Sequence, residues 1–502
     1  MHRFPLSLVS VIAGGASAFG FAPWNLWPLT LISVGVLVAL IDTAPGPRRA
    51  FARGWLFGTG HFSVSLGWIA HAFTYQDKMP PALGWVAVIG LSMFLALYIG
   101  LAAGLARGVP ASGLARVLVL AAAWMLGEWL RGWVLTGFAW NPLGATWLEV
   151  AGIRQLARFG GAISLSALAV LAGGGLWLLA RRQWRGGGAL LGAVALAALA
   201  GRVWEAPPAA SDGPVVHLVQ PNISQDEKYA VGSEAANVRR YLDLTAMALA
   251  RRQSARGEIV VWSEGAVPYL VEEDAAVRAA LASVLGPDDL LLFGGTAAFR
   301  DDKGTLVALG NSLFALDARG QLIARHDKSH LVPLGEYVPA RPLMTAFGLA
   351  RLVPGDLEFR PGPGARSFAL PGFPAVGMQV CYEIIFPGAV VDRSDRPAWI
   401  VNVSNDSWYG ASMPSQHVAQ ARLRAIEEGL PIARATPTGI SAMIDGHGNV
   451  IGALSMGARD VSSVVLPPAL PVTPFGHWGH GVTLVMGLGL LALSWLARRS
   501  NI

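Results

Sequence analysis

The chain contains one cysteine, Cys381, among 502 residues. It follows the apolar run Ala375–Val380 and precedes a helix-compatible stretch, so the pattern predicts a thiol at a strand-to-helix turn. Helix N–H groups at such a turn lower a thiol's pKa and favour the nucleophilic thiolate. Glu264 ends another apolar run, Val260-Val-Trp-Ser-Glu-Gly, at the sheet edge where α/β active sites gather. Lys328 lies in His326-Asp-Lys-Ser-His-Leu-Val-Pro-Leu-Gly-Glu336, in a chain with 4 lysines and 34 arginines. Lysine is a compact point charge with an adjustable pKa, unlike the guanidinium fork. Singly, each residue has a plain structural use: a buried thiol, a capping carboxylate, a solvated lysine. Together they allow acyl transfer. The glutamate takes the thiol proton, sulfur attacks a carbonyl, and lysine with backbone N–H groups steadies the oxyanion.

Rival chemistries find less support. No Gly-x-Ser-x-Gly elbow marks a serine nucleophile. A single cysteine excludes an intrachain disulfide and any Cys-based zinc or iron–sulfur site. His326 and His330 lack a third ligand at suitable spacing, so neither a metal nor another cofactor is expected.

Two unlike regions must position these residues. Overall the chain is 53% hydrophobic and 14% charged, with a mean hydropathy of +0.47; soluble domains carry about 25% charged residues. Residues 1–201 hold 13 Lys+Arg and 4 Asp+Glu, whereas residues 214–470 hold 22 and 26. The basic balance belongs to the apolar part, which argues against a nucleic-acid surface on the other. Apolar stretches at about 5–21, 27–41, 54–72, 82–105, 114–135, 161–180 and 188–204 predict a seven-span bundle over 1–204, with a last span at 481–497. With the N-terminus inside, inner segments carry 11 Lys+Arg and short outer loops 4, which places residues 214–470 outside the membrane. Met1–Ala18 also has the form of a secretory signal, but its apolar run continues into an aromatic turn.

Residues 214–470 alternate strands and helices, the pattern of a layered α/β domain. Strands are predicted at Val215–Val219, Glu258–Trp262, Leu290–Gly294, Ala375–Val380, Trp399–Val403, Ile432–Ala435, Ser441–Ile444 and Val450–Gly452. Ser312–Leu316 and Gln321–Arg325 read as a hairpin, and Glu234–Gln253, Val271–Leu285 and Gln416–Glu428 as helices.

At Glu264, Lys328 and Cys381 the chain resembles the carbon–nitrogen hydrolase (nitrilase) superfamily. Over nearly its whole length it resembles the bacterial apolipoprotein N-acyltransferases. The matching pieces include Glu128-Trp-Leu-Arg-Gly-Trp, Val219-Gln-Pro-Asn-Ile, Trp262-Ser-Glu-Gly-Ala-Val-Pro, the Lys328–Pro339 block, Cys381-Tyr-Glu-Ile, Asn405-Asp-Ser-Trp-Tyr-Gly, Gln416-His and Arg434-Ala-Thr. The resemblance implies an αββα sandwich with Glu264 as base, Lys328 as oxyanion cation and Cys381 as nucleophile. It makes Glu336 a second essential carboxylate and Tyr382 and Glu383 supporting residues. It further implies transfer of an acyl chain from a phospholipid, typically phosphatidylethanolamine, to the diacylglyceryl-cysteine of an apolipoprotein. The implied setting is the bacterial inner membrane, with a periplasmic catalytic domain. A membrane-anchored amidase or thioesterase with the same triad is the alternative. Tyr229 and Pro437 stand where that family usually has Trp and Asn.

Both implied substrates carry chains that resist leaving the bilayer, at about 0.8 kcal/mol per CH₂. The thiol is therefore expected at the outer leaflet, with depth set by interfacial tryptophans; 13 of the 18 precede residue 214. The apolar stretch 343–353 is long enough to dip into lipid and gate its entry. Glu128 and Arg131, three apart on one helix, are expected to form an ion pair that anchors the bundle.

Overall fold

The computed structural model describes residues 5–75, 80–207, 211–252, 256–338 and 357–499. The stretch 343–353 lies outside the described residues.

The apolar stretches form helices α1 (Leu6–Ser17), α2 (Trp27–Asp42), α3 (Pro47–Ser65), α4 (Leu83–Gly108), α5 (Gly113–Arg131), α6 (Ala157–Ala180) and α7 (Trp184–Gly201). Among the described residues, five helical stretches are long and apolar enough to cross a membrane: Leu83–Gly108, Gly113–Arg131, Arg154–Ala180, Trp184–Trp204 and His480–Arg499. Leu6–Gly20 and Trp27–Asp42 are shorter apolar helices. The stretch expected at 54–72 divides between the end of α3 and a 3₁₀ segment, Gly67–Tyr75, whose tryptophan Trp68 turns inward.

Glu128 and Arg131 do not join in the expected ion pair; each holds backbone instead. Glu128 accepts from Trp124 Nε1 (3.0 Å), Leu143 N–H (2.8 Å) and Ser166 Oγ (2.6 Å). Arg131 donates to the carbonyls of Phe138 (2.8 Å) and Trp140 (2.7 Å). Separate partners satisfy both charges because the loop 138–143 folds back over the end of α5, offering carbonyls to one and an N–H to the other.

The following region folds into two six-stranded sheets. Sheet one runs β12-β1-β2-β3-β4-β5 and sheet two β11-β10-β9-β8-β7-β6. The strands of the first are β1 (Val215–Gln220), β2 (Ile259–Val261), β3 (Leu290–Arg300), β4 (Leu306–Asp317), β5 (Leu322–Asp327) and β12 (Asp460–Val465). Those of the second are β6 (Ser367–Leu370), β7 (Phe373–Val380), β8 (Trp399–Val403), β9 (Ile432–Ala435), β10 (Ser441–Ile444) and β11 (Val450–Leu454). β1-β2-β3 and β7-β8-β9 pair in parallel, which needs long crossover connections; the flanking strands pair antiparallel. Strand alternation sends Leu218, Val261, Leu292, Met378, Val401 and Ala433 into one core between the sheets.

A short helix, α8 (Gln225–Tyr229), follows β1, and the outer face of sheet one is covered by α9 (Glu234–Leu249) and α10 (Ala275–Ala282), with Tyr241, Leu244 and Leu281 against Val260 and Phe293. Helix α10 is shorter than the expected 271–285, because the Asp274 side chain caps the N–H groups of Ala276 and Val277 and starts the helix there. On sheet two lies α11 (Ser412–Glu428), almost wholly buried. Its Leu423 and Ile426 pack with Ile400 and Ile432 of the sheet, and the same hydrophobic core continues to Leu120 and Leu165 of the bundle. One layer of the αββα sandwich is therefore also the layer against which the membrane helices close.

Helix α6 breaks at Gly161, whose φ of +69° and ψ of −178° favour a residue without Cβ. The N–H of Ala162, freed by that break, donates to Glu427 Oε1 on α11 at 2.7 Å. The last described helices are α12 (Pro474–Trp478) and α13 (His480–Arg499), and α13 packs on α5 and α6.

Candidate active site

Strand ends bring the expected residues together. Glu264 follows β2, Lys328 follows β5, and Cys381 follows β7. Lys328 is 1% exposed, and its Nζ lies 2.9 Å from Glu336 Oε2 and 3.8 Å from Glu264 Oε1. Burial opposes the lysine's charge, but Glu336 and Glu264 outweigh it and hold the ammonium above the ordinary range. Glu336 also accepts from Val332 N–H at 2.8 Å, which closes the loop between them.

The Asn311 amide supplies the link between the carboxylates. Its Nδ2 donates to Glu264 Oε1 and to Glu336 Oε1, both at 2.7 Å. Glu264 Oε2 accepts Asn405 N–H at 2.7 Å. The glutamate therefore has one oxygen on sheet one and the other on sheet two. Asn311 was not singled out by the sequence because it lies inside β4 rather than at a strand end. Asn405 does follow an apolar strand, Trp399–Val403, and the strand-end argument used for Glu264 applies to it equally.

Cys381 opens a single 3₁₀ turn, Cys381–Ile385, with φ +51°, a strained value for a residue with a Cβ. Its carbonyl accepts from Asn402 Nδ2 (3.4 Å) and lies 3.2 Å from His417 Nε2. Ser404 Oγ is 3.2 Å from Sγ and 2.6 Å from Asp406 Oδ1. Arg434 pairs with Asp406, and Arg434 and His417 hold that carboxyl below its usual range against the cost of burial. The expected lowering of the thiol's pKa is not found. Burial, then the negative charge of Glu264, pushes the Cys381 thiol up, with Lys328 acting in opposition. A five-residue turn has too few aligned N–H groups to offset that. A thiol pushed in that direction needs a base to take its proton.

Glu383 clamps the lysine loop to this turn. Its Oε1 accepts from Ser329 N–H and Oγ, each at 2.7 Å; its Oε2 accepts from Val380 N–H (2.7 Å) and faces His326 Nε2 (3.1 Å). Burial opposes its charge, yet His326 and these donors hold its pKa at about 2. His330 stacks on Phe386 at 3.7 Å. Tyr382 turns toward the bundle, its hydroxyl donating to Gly137 O at 3.2 Å. Tyr229 is 55% exposed beside Trp408, and the Pro437 carbonyl accepts Asn222 N–H at 2.8 Å.

The arrangement can take a proton from sulfur, steady an oxyanion beside Lys328 and exclude water by burial. Comparisons with known proteins bear on the chain as a whole. Residues 13–175 match the family model for the apolipoprotein N-acyltransferase N-terminal domain, and residues 216–470 match that for carbon-nitrogen hydrolase. The apolipoprotein N-acyltransferase of Rhodopseudomonas palustris is 33% identical over 510 residues, covering 97% of this chain and 95% of that one. The one from Bradyrhizobium diazoefficiens is 35% identical, covering 98% and 95%. A solved amidase from Nesterenkonia sp. is similar at 18% identity with a TM-score of 0.34, over 52% of this chain and 93% of that one.

Proposed function

The chain belongs to the apolipoprotein N-acyltransferase family, and from that premise we propose that it carries out the last acylation in lipoprotein maturation. In this reading the donor is a membrane phospholipid, phosphatidylethanolamine, and the acceptor is the α-amino group of a diacylglyceryl-cysteine. Glu264 takes the Cys381 proton, and Sγ attacks the ester carbonyl. Lys328 steadies the oxyanion. Collapse expels the lysophospholipid alkoxide, which takes the proton from Glu264, and leaves a thioester on sulfur. The lipoprotein amine then attacks that thioester and passes a proton to Glu264. Collapse returns the thiolate, which takes the proton back, and releases the amide. Glu336 holds Lys328, and Tyr382 and Glu383 hold the turns around them.

The reading divides the chain into a bundle of residues 1–204, a catalytic domain of residues 214–470 and an anchoring helix of residues 481–497. It places the catalytic domain on the periplasmic side of the inner membrane. One observation carries it: the chain's one cysteine sits buried in the fields of both Glu264 and Lys328, on a sandwich whose outer helix layer is shared with an apolar bundle. Intact mass after incubation with phospholipid tests it. The expected result is a gain of one fatty acyl group that is absent in Cys381→Ser and discharged by a free-amine diacylated lipopeptide. Discharge by water at the same rate would favour a thioesterase, and no adduct at all would refute the thioester route.

A further inference from the structure

Helix α11 touches both the bundle and the nucleophile, and it does so through two adjacent residues. Gln416 is 1% exposed. Its Oε1 receives three N–H groups from the helical part of the chain: Trp68 Nε1 at 3.0 Å, Trp140 Nε1 at 2.9 Å and Asn141 Nδ2 at 2.9 Å. Its Nε2 donates to Ser65 O at 3.3 Å. Consecutive helical residues point about 100° apart, so His417 leaves the helix on another face. That ring is fully buried, with Trp140 at 5.1 Å between centroids. Its Nε2 meets the Cys381 carbonyl at 3.2 Å, and its Nδ1 lies 3.1 Å from Asp406 Oδ1 and 3.0 Å from Arg434 Nη2. Asp406 in turn holds Ser404, whose hydroxyl touches Sγ.

The nucleophile turn needs such support. A residue with a Cβ at φ +51° reverts to an ordinary conformation unless its neighbours hold it. The Cys381 carbonyl is one of the handles, and His417 grips it. The orientation of His417 depends on α11, and the rotation of α11 about its axis is set where Gln416 meets the two indoles and the Asn141 amide. Three donors on one amide oxygen make a rigid joint, because any rotation of the helix orphans buried N–H groups.

We propose that Gln416 is a positioning residue for acyl transfer, through which the bundle fixes the conformation of the nucleophile turn. The proposal rests on the reaction given above, with Cys381 as nucleophile. The bundle then does more than hold the catalytic domain near lipid. It completes the support of the active site.

The test uses the full-length protein in lipid nanodiscs and two acyl donors, a phospholipid and the water-soluble ester p-nitrophenyl butyrate. Gln416→Leu is expected to slow acyl-enzyme formation at saturation by about tenfold or more with both donors, since small displacements of a reacting atom cost that much. KM for the phospholipid stays near the parent value. Gln416→Glu, which keeps an acceptor for the three N–H groups, restores most of the rate. Trp140→Phe removes one donor, gives a smaller loss, and serves should Gln416→Leu fail to fold. Alkylation of Cys381 by iodoacetamide gives a second readout that needs no lipid, and its pH profile shifts in Gln416→Leu. A loss confined to the phospholipid and expressed in KM would overturn the proposal, because Gln416 would then only seat the lipid; so would unchanged rates with both donors. If the parent protein forms no acyl-enzyme, the reaction itself fails, and the alkylation profile alone decides the positioning role: a shift upholds it and an unchanged profile ends it.

Discussion

Replacing Glu383 with Gln preserves shape and removes one charge. The drop in this carboxyl's pKa from 4.5 to about 2 corresponds to about 3 kcal/mol in favour of the ionised form in the folded protein. Its pKa is lower folded than unfolded, so that contribution is complete above about pH 4.5 and fades as pH falls toward 2. The amide cannot recover it. If its NH₂ faces Ser329, the hydroxyl can turn to accept but the Ser329 N–H is orphaned. If it faces His326, the ring can change tautomer but the Val380 N–H is orphaned. Either way one buried backbone donor loses its partner, a cost of about 1–3 kcal/mol on its own. The orphaned group flanks either Lys328 or Cys381, so the rate falls too, by about a hundredfold if the two drift apart by an ångström. Thermal unfolding in detergent, followed by tryptophan fluorescence, should show Glu383→Gln destabilised at pH 7, with the gap narrowing below about pH 4. Acyl-enzyme formation by intact mass gives the rate. Parent-like stability at pH 7 together with acylation within about threefold of the parent would refute the clamp.

Three further outcomes follow from the geometry. Lys328→Arg should abolish acyl-enzyme formation while leaving the protein folded, because a guanidinium fork does not fit a 1%-exposed site between Glu336 and Glu264; single-turnover mass analysis checks it. Gly294→Ala places a Cβ 2.6 Å from Glu264 Cα and 2.7 Å from Ser263 O, both backbone. It should cost about 1–3 kcal/mol of stability and lower the acylation rate, measured by thermal shift and burst amplitude. Burial and the neighbouring Glu427 raise the Glu428 carboxyl to about 7. A carboxyl raised on folding loses its favourable contribution as pH climbs from about 4.5 through 7, so Glu428→Gln should stabilise the protein by about 3 kcal/mol at pH 8 and little at pH 5, read as a pH-dependent difference in unfolding temperature.

Strand ends were the legible part of this protein. Glu264 follows a short apolar run, Lys328 the second strand of a hairpin and Cys381 another short apolar run, and the structure puts all three at one end of the sandwich. Contacts within 4 Å join the first two, and the third lies within their fields. The supporting residues lacked such a marker. Asn311 sits within a strand, and its value depends on pairing β4 with β5, a register invisible in one sequence. Helix periodicity picks out apolar faces, but nothing in Gln416-His tells that one side chain meets tryptophans 348 and 276 positions away while its neighbour meets the cysteine turn. The edge strands β6 and β12 are not legible because β6 is four residues long and Ser462-Ser463 interrupt the apolar run of β12. The thiol's environment is not legible in the sequence: a strand-to-helix pattern implies a helix dipole, whereas the turn is one short 3₁₀ coil under heavy burial.

The break at Gly161 bears on biogenesis. A ribosome delivers Ala162 to the bilayer 265 residues before Glu427 exists, so the nascent helix carries an open amide with no acceptor from α11. In hydrocarbon such a gap is costly, and only the arrival of the extramembrane fold closes it. Closing that gap couples the seating of α6 to the folding of α11, so the two regions finish together rather than in turn.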